Sequence, residues 1–227
     1  MKNLKIYLMM MLLSCTTMSF AQGDTTPWKG IRFGYDRTFV NYDWEDAEND
    51  NANGFSIGYV HAFSIAKKVP LFIETGLGLN FARIKNTESE SEEMYGYTWS
   101  YEDKETTTML GLTIPVNLVY KVQLNDKLAL KPYTGFYLRA NLMSKGKDEY
   151  TVTMDGESET EEETWNNFDK DDVGEEGTWN RVQFGWQIGA TLDINKFNVG
   201  LGYALDFNEI AEKTKCGIFS VRLGYNF

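Results

Sequence analysis

The groups in this chain that could do chemistry are few. It holds one histidine, His61, two cysteines, Cys15 and Cys216, and more carboxylates than cations, for a net charge of -11. Acyl transfer or hydrolysis at a membrane would need His with a Ser nucleophile and an acid. His61 shares the parity of Phe55, Ile57, Tyr59 and Phe63, so it points with an apolar row, and no Ser and acid converge on it. No catalytic residue is assigned, and the chain is not expected to be an enzyme. No Cys/His spacing suits zinc. Cys216 reads as a free thiol.

The carboxylates are the larger signal. An acidic chain is a poor partner for nucleic acid, whose phosphates need Lys and Arg. Asp43, Glu45, Asp46, Glu48 and Asp50 crowd one segment, and a second runs from Asp155 to Glu176. Within it, Glu161, Glu162, Glu163, Asp171 and Asp172 are candidate oxygen ligands for Ca²⁺ or Mg²⁺. No EF-hand spacing is present, and the plainer reading is a hydrated, self-repelling surface. Tyr95, Tyr97, Trp99 and Tyr101 recur at period two, which suggests a hairpin with an aromatic face for a glycan or protein, or simple cross-strand packing.

The N-terminus reads as a targeting segment. Lys2 and Lys5 precede the apolar run 6–13, and Ser19-Phe20-Ala21 offers small residues at a cleavage point. A signal peptide over 1–21 leaves a mature domain over 22–227, and loss of two lysines takes the net charge to -13. Leu12-Leu13-Ser14-Cys15 also resembles a lipoprotein box, which leaves lipidation of Cys15 open. No internal run approaches the ~20 apolar residues of a spanning helix.

What positions these groups is a set of alternating strands. In 216–227, Phe219, Val221, Leu223, Tyr225 and Phe227 share one face, and Ile218, Ser220, Arg222, Gly224 and Asn226 the other. Similar segments span 29–41, 54–64, 71–83, 107–121, 128–142, 180–194 and 197–208. Most reach the ~9–11 residues that a tilted strand needs to cross a bilayer. Pro115 lacks a ladder donor and predicts a bulge or weak pairing. The expected fold is all-β: an eight-stranded antiparallel up-and-down transmembrane β-barrel. A secreted lipocalin-like barrel would show the same alternation, with its apolar face inward. Gly34, Gly58, Gly78, Gly135, Gly189 and Gly202, however, all lie on the polar face. A narrow barrel interior needs small residues and a solvent face does not, so the apolar face is expected to meet lipid.

Connections alternate long and short, the short ones at 64–70, 122–126 and 195–196. That places both termini with the short turns, on the periplasmic side of such a barrel. The inward row then carries Arg32, Asp36, Glu74, Lys131, Arg139, Arg181, Asp193, Asp206 and Arg222. Mixed signs in so narrow a space predict a charge network that blocks solutes, with Glu74 paired to Arg32 or Arg222.

Leu223-Gly224-Tyr225-Asn226-Phe227, Leu112-Thr113-Ile114-Pro115 and Lys131-Pro132-Tyr133-Thr134-Gly135 resemble the outer-membrane β-barrel proteins of the porin-like, OmpX/OmpA and PorT types. The resemblance covers the mature chain. It implies the outer membrane of a Gram-negative cell, with outer-membrane lipid and lipopolysaccharide as surroundings. It also implies a barrel assembly machinery that reads Tyr225 and Phe227 as its signal. A structural or binding role at the cell surface through acidic loops is the function expected, with an extracellular glycan or protein, or divalent cations, as ligands. A small-solute porin-like channel is the alternative, and a membrane-embedded enzyme a third. No cofactor is implied.

Overall fold

The structure, a computed structural model, describes residues 24–43, 49–94 and 97–227, without the side chains of Met94 and Tyr97. The signal segment 1–21, Cys15, Glu45, Asp46, Glu48 and Tyr95 lie outside the described residues. The elements are β1 (Lys29–Tyr42), β2 (Asp50–Ser64), β3 (Leu71–Met94), β4 (Tyr97–Tyr120), β5 (Val122–Asn125), β6 (Leu128–Met154), β7 (Glu157–Asn166), α1 (Lys170–Gly177), β8 (Val182–Ile194), β9 (Phe197–Asp206) and β10 (Thr214–Asn226). Antiparallel pairing runs β4-β3-β2-β1-β10-β9-β8-β6, and β4 pairs with β6. The ring therefore closes on eight strands, and closure removes the open edges that a bilayer would penalise. The short β5 pairs only with the start of β6, and β7 only with its end.

The period-two pattern decides which way the wall faces. Phe33, Phe55, Ile57, Leu77, Leu79, Ile114, Phe136, Leu138, Phe184, Leu201 and Leu223 are exposed on the outside. Lys131, Gln183, Gln187, Asn198, Asp206 and Ser220 are buried on the inside. A lipocalin would show the reverse. Inside, bulky residues face glycines: Gly189 and Gly202 leave room for Tyr133, whose Oη lies 2.5 Å from where either Cβ would stand.

Three strands outrun the wall. β3 and β4 have 24 residues each and β6 has 27, over twice the ~9–11 that a crossing uses. Hydropathy alternation bounds these strands at about residues 83, 107 and 142 and leaves 84–106 and 143–179 as loops, with a projecting hairpin suggested only around 95–101. Instead the ladders continue, pairing Lys85 with Thr106 and Met94 with Tyr97, Thr106 with Lys147, and Lys145 with Asn166. The upper parts of β3, β4 and β6 form, with β7, a four-stranded sheet beyond the apolar belt. Apart from the aromatics Trp99, Tyr101 and Tyr150, its residues alternate between two polar faces, so hydropathy marks little of it as strand. The belt ends at exposed Arg83 and Lys85 on β3.

Pro115 stays in the ladder with β6, opposite Tyr137, while the pairing of β3 with β4 skips from Thr75–Val116 to Gly78–Thr113. The weak pairing falls on the side that the missing N–H would have served. The register shift lies elsewhere, at Leu110/Gly111.

Two apolar clusters cap the interior. Trp28, Ala62, Phe72, Val119 and Tyr133 pack at the end that carries the short turns and both β1 and β10 ends. Val40, Ala52, Ile84, Ile210 and Cys216 pack at the other end, backed by Tyr42, Met109 and Trp179.

Candidate functional site

Between these clusters the inward charges fall into two layers. In the lower one Lys131, 1% exposed, pairs with Asp193 at 2.8 Å. Its Nζ also lies 4.1 Å from the Trp28 ring centroid. The Trp28 indole in turn donates to Glu74 Oε2 at 2.8 Å. Glu74 is thus held by an indole, and no ion pair with Arg32 or Arg222 forms among the described residues. Arg32 donates to the Ile31 carbonyl and to Asn226 Oδ1, both at 2.9 Å. Trp28 escaped the sequence reading because it precedes the first strand and stands in no alternating row. Its signal was size: a Trp just before a barrel strand can fold over the open end.

In the upper layer Arg139 pairs with Asp206 at 2.5 Å, and the Tyr137 hydroxyl also donates to Asp206. The Gln187 amide donates to Asn117 at 2.8 Å. Asp36 is buried and lines, with Tyr137, Arg139 and Arg222, an interior cavity of about 80 Å³. Arg181 does not belong to this set. It sits one residue before β8, exposed, with its guanidinium 4.1 Å from the Phe168 ring centroid. Its parity points inward, but the strand begins after it.

The sheet beyond the belt has unlike faces. On the face continuous with the barrel interior stand Glu88, Glu90 and Glu92, then Asp103 and Glu105, then Asp148, then Glu157, Glu159, Glu161 and Glu163, and, among the described residues, no Lys or Arg. Trp99, Tyr101 and Tyr150 share that face, with Trp99–Tyr101 centroids at 5.5 Å and Tyr101–Tyr150 at 6.0 Å. The Asp103 carboxyl is raised by the adjacent Asp148, to which its protonated form donates, by partial desolvation and by the charges of Asp148 and Glu88. The opposite face alternates signs and pairs them: Lys104 with Glu102 at 2.5 Å, and Lys147 with Glu149 at 3.0 Å and Glu162 at 3.1 Å.

This alternation separates the candidate cation ligands. Glu162 faces away from Glu161 and Glu163, and Asp171 and Asp172 lie in the first turn of α1, where Asp172 accepts from the Asn166 N–H at 2.8 Å. No group of three or more His, Cys, Asp or Glu with room for a metal occurs among the described residues. His61 stacks on Phe63 with centroids 4.2 Å apart. At the chain end Tyr225 sits between Phe197 and Phe227, with centroids at 5.3 Å and 6.2 Å. Cys216 is a free, buried thiol.

Comparison with known proteins adds to this geometry. Ail, the attachment invasion locus protein of Yersinia pestis, is 16% identical, with 88% of this chain and 98% of that one covered at a TM-score of 0.36. Neisserial surface protein A is 11% identical, covering 88% and 97% at a TM-score of 0.38. The N-terminal barrel domain of Pseudomonas aeruginosa OprF is 12% identical, covering 86% and 97% at 0.25. Among curated proteins none matches. The family model for the outer membrane protein beta-barrel domain matches residues 16–212. Strand ring, outward apolar belt and family match agree, and the chain belongs to the outer membrane β-barrel protein family.

Proposed function

We propose that this protein is a closed outer-membrane barrel that holds a binding platform at the cell surface. The observation that carries the reading is the four-stranded sheet of β3, β4, β6 and β7, which stands beyond the apolar belt. A strand needed only to cross lipid has no reason to continue. On this reading a signal peptide over 1–21 delivers the domain 22–227, both termini lie in the periplasm, and the sheet projects outside. Tyr225 and Phe227 present the assembly signal. The apolar clusters at both ends and the paired charges between them favour a barrel that passes no solute, since eight strands leave an interior only wide enough for side chains.

Single cysteines at Ser91 and Ser158 are expected to react with an impermeant thiol reagent on intact cells, and one at Asn125 is not. Labelling at Asn125 alone would invert the barrel. Replacing 86–104 and 147–164 with two-residue Asn-Gly turns is expected to leave a heat-modifiable, assembled barrel. Failure to assemble would make the sheet part of the barrel's own stability rather than a platform. Planar bilayers holding the wild type are expected to show no steady conductance, and open-channel steps would restore the porin-like alternative.

A further inference from the structure

At the foot of the sheet, where it meets the barrel rim, lies a cavity of about 140 Å³ walled by Tyr42, Trp165 and Trp179 together with Asp50 and Glu105. We propose that this cavity binds one cationic side chain, an alkylammonium or guanidinium, of a basic extracellular polypeptide whose remaining cations lie along the acidic face above. The inference rests on the platform reading and names the chemistry of its partner.

The aromatic walls are fixed in place. The Trp165 indole donates to Asn167 Oδ1 at 2.9 Å, and Asn167 donates to Ser144 Oγ at 2.9 Å. The Trp165 ring lies flat over Gly146, across the strand pair, where any Cβ would occupy its space. The Trp179 backbone N–H donates to the Asn167 carbonyl at 2.7 Å, which ties the backbone that carries the second indole to the same residue. Faces of Trp and Tyr attract cations, most strongly where water is thinned.

The carboxylates lack the cation that such walls would attract. Asp50 accepts from the Tyr42 hydroxyl and the Asn86 amide, both at 2.9 Å. These donors are neutral, so they orient the charge without cancelling it. Neither Asp50 nor Glu105 enters any ion pair among the described residues. The internal stretches 44–48 and 95–96 contain no Lys or Arg that could reach them. Partial desolvation raises the Glu105 carboxyl, and the charges of Asp50, Asp148 and Asp103 raise it further. A cation in the cavity would relieve all of these. A neutral saccharide would leave both carboxylate charges uncompensated, and the opposite face of the sheet, where Lys104 and Lys147 already pair with Glu102, Glu149 and Glu162, offers a cation nothing comparable.

The test uses the full protein in phosphatidylcholine nanodiscs, with fluorescent decalysine and deca-arginine as probes read by anisotropy at low salt. The wild type is expected to bind them, and decaglutamate and a neutral oligosaccharide not at all. Asp50→Asn with Glu105→Gln is expected to weaken binding about tenfold or more, and Trp165→Leu about as much at unchanged charge. Glu102→Gln with Glu149→Gln, which removes equal charge from the opposite face, should shift binding less than about twofold. If Trp165→Leu fails to assemble, Gly146→Val displaces the ring instead and should give the same loss. No probe binding, equal loss from both double variants, no effect of the indole, or preference for the oligosaccharide each overturns the assignment. Labelling at Ser158 on intact cells is read separately. With it present, a null probe result removes only the cationic site. With it absent, the platform itself fails.

Discussion

Asp206→Ala is expected to cost the barrel about 3–5 kcal/mol of stability, the range for removing one member of a buried ion pair. Asp206 is 2% exposed and accepts from both the Arg139 guanidinium, at 2.5 Å, and the Tyr137 hydroxyl. Its loss leaves a guanidinium with no counter-charge and a phenol with no acceptor inside a space lipid surrounds on every side. The size of that effect measures the orphaned charge rather than the worth of the pair. Accordingly Arg139→Met combined with Asp206→Leu, which removes both charges at similar volume, is expected to recover most of the loss. Urea unfolding in detergent, followed by heat-modifiable mobility, checks both. A single variant as stable as the wild type would show that the upper layer does not hold the wall together.

The second large effect is steric. Gly189→Val should cost at least the upper end of the ~1–3 kcal/mol typical of overpacking and should lower the yield of folded barrel. A Cβ at this position would run into the Leu201 carbonyl, which is backbone, and would sit 2.5 Å from Tyr133 Oη. Neither a rotamer change nor a second substitution can move a carbonyl that belongs to the β8–β9 ladder. Gly202 provides the contrast. There a Cβ meets only the Tyr133 hydroxyl closely, at 2.5 Å. Gly202→Ala is therefore expected to cost less, and Tyr133→Phe to relieve it. If Tyr133→Phe rescued Gly189→Val fully, or failed to help Gly202→Ala, the packing account of these glycines would be wrong. The same unfolding measurement decides it.

These expectations share a geometric basis. In a ring of eight strands the interior is filled by side chains, so each large inward residue needs a small one opposite. Trp28 applies the same logic at the open end. It packs on Phe72 with centroids 4.6 Å apart, lies over Lys131 Nζ and donates to Glu74. One side chain packs into the end of the interior and links two charges that would otherwise lie apart.

By itself the sequence determined the barrel, the number of crossing strands and the face each strand turns to lipid. The reason is local: a strand between lipid and a crowded interior must alternate with period two, and glycine on the polar row tells which side is crowded. The same parity placed Lys131, Arg139, Asp193 and Asp206 on the inner row. Only the tertiary structure decided their partners, because neighbours across a barrel interior come from strands far apart in the chain and their heights depend on register. It gave Glu74 the indole of Trp28, and it placed Arg181 outside, where parity had continued past the end of a strand. Of the sheet above the belt, the period-two aromatics Tyr97, Trp99 and Tyr101 announced only the tip of the β3–β4 hairpin. Elsewhere polar residues on both faces leave alternation without contrast in hydropathy, and the rest of 84–106 and all of 143–166 read as loops until the ladder pairs them. The cavity between Tyr42, Asp50, Glu105, Trp165 and Trp179 draws on five segments of the chain. No spacing within any one of them announces it. It exists because β7 folds back on β6 and lays Trp165 across Gly146.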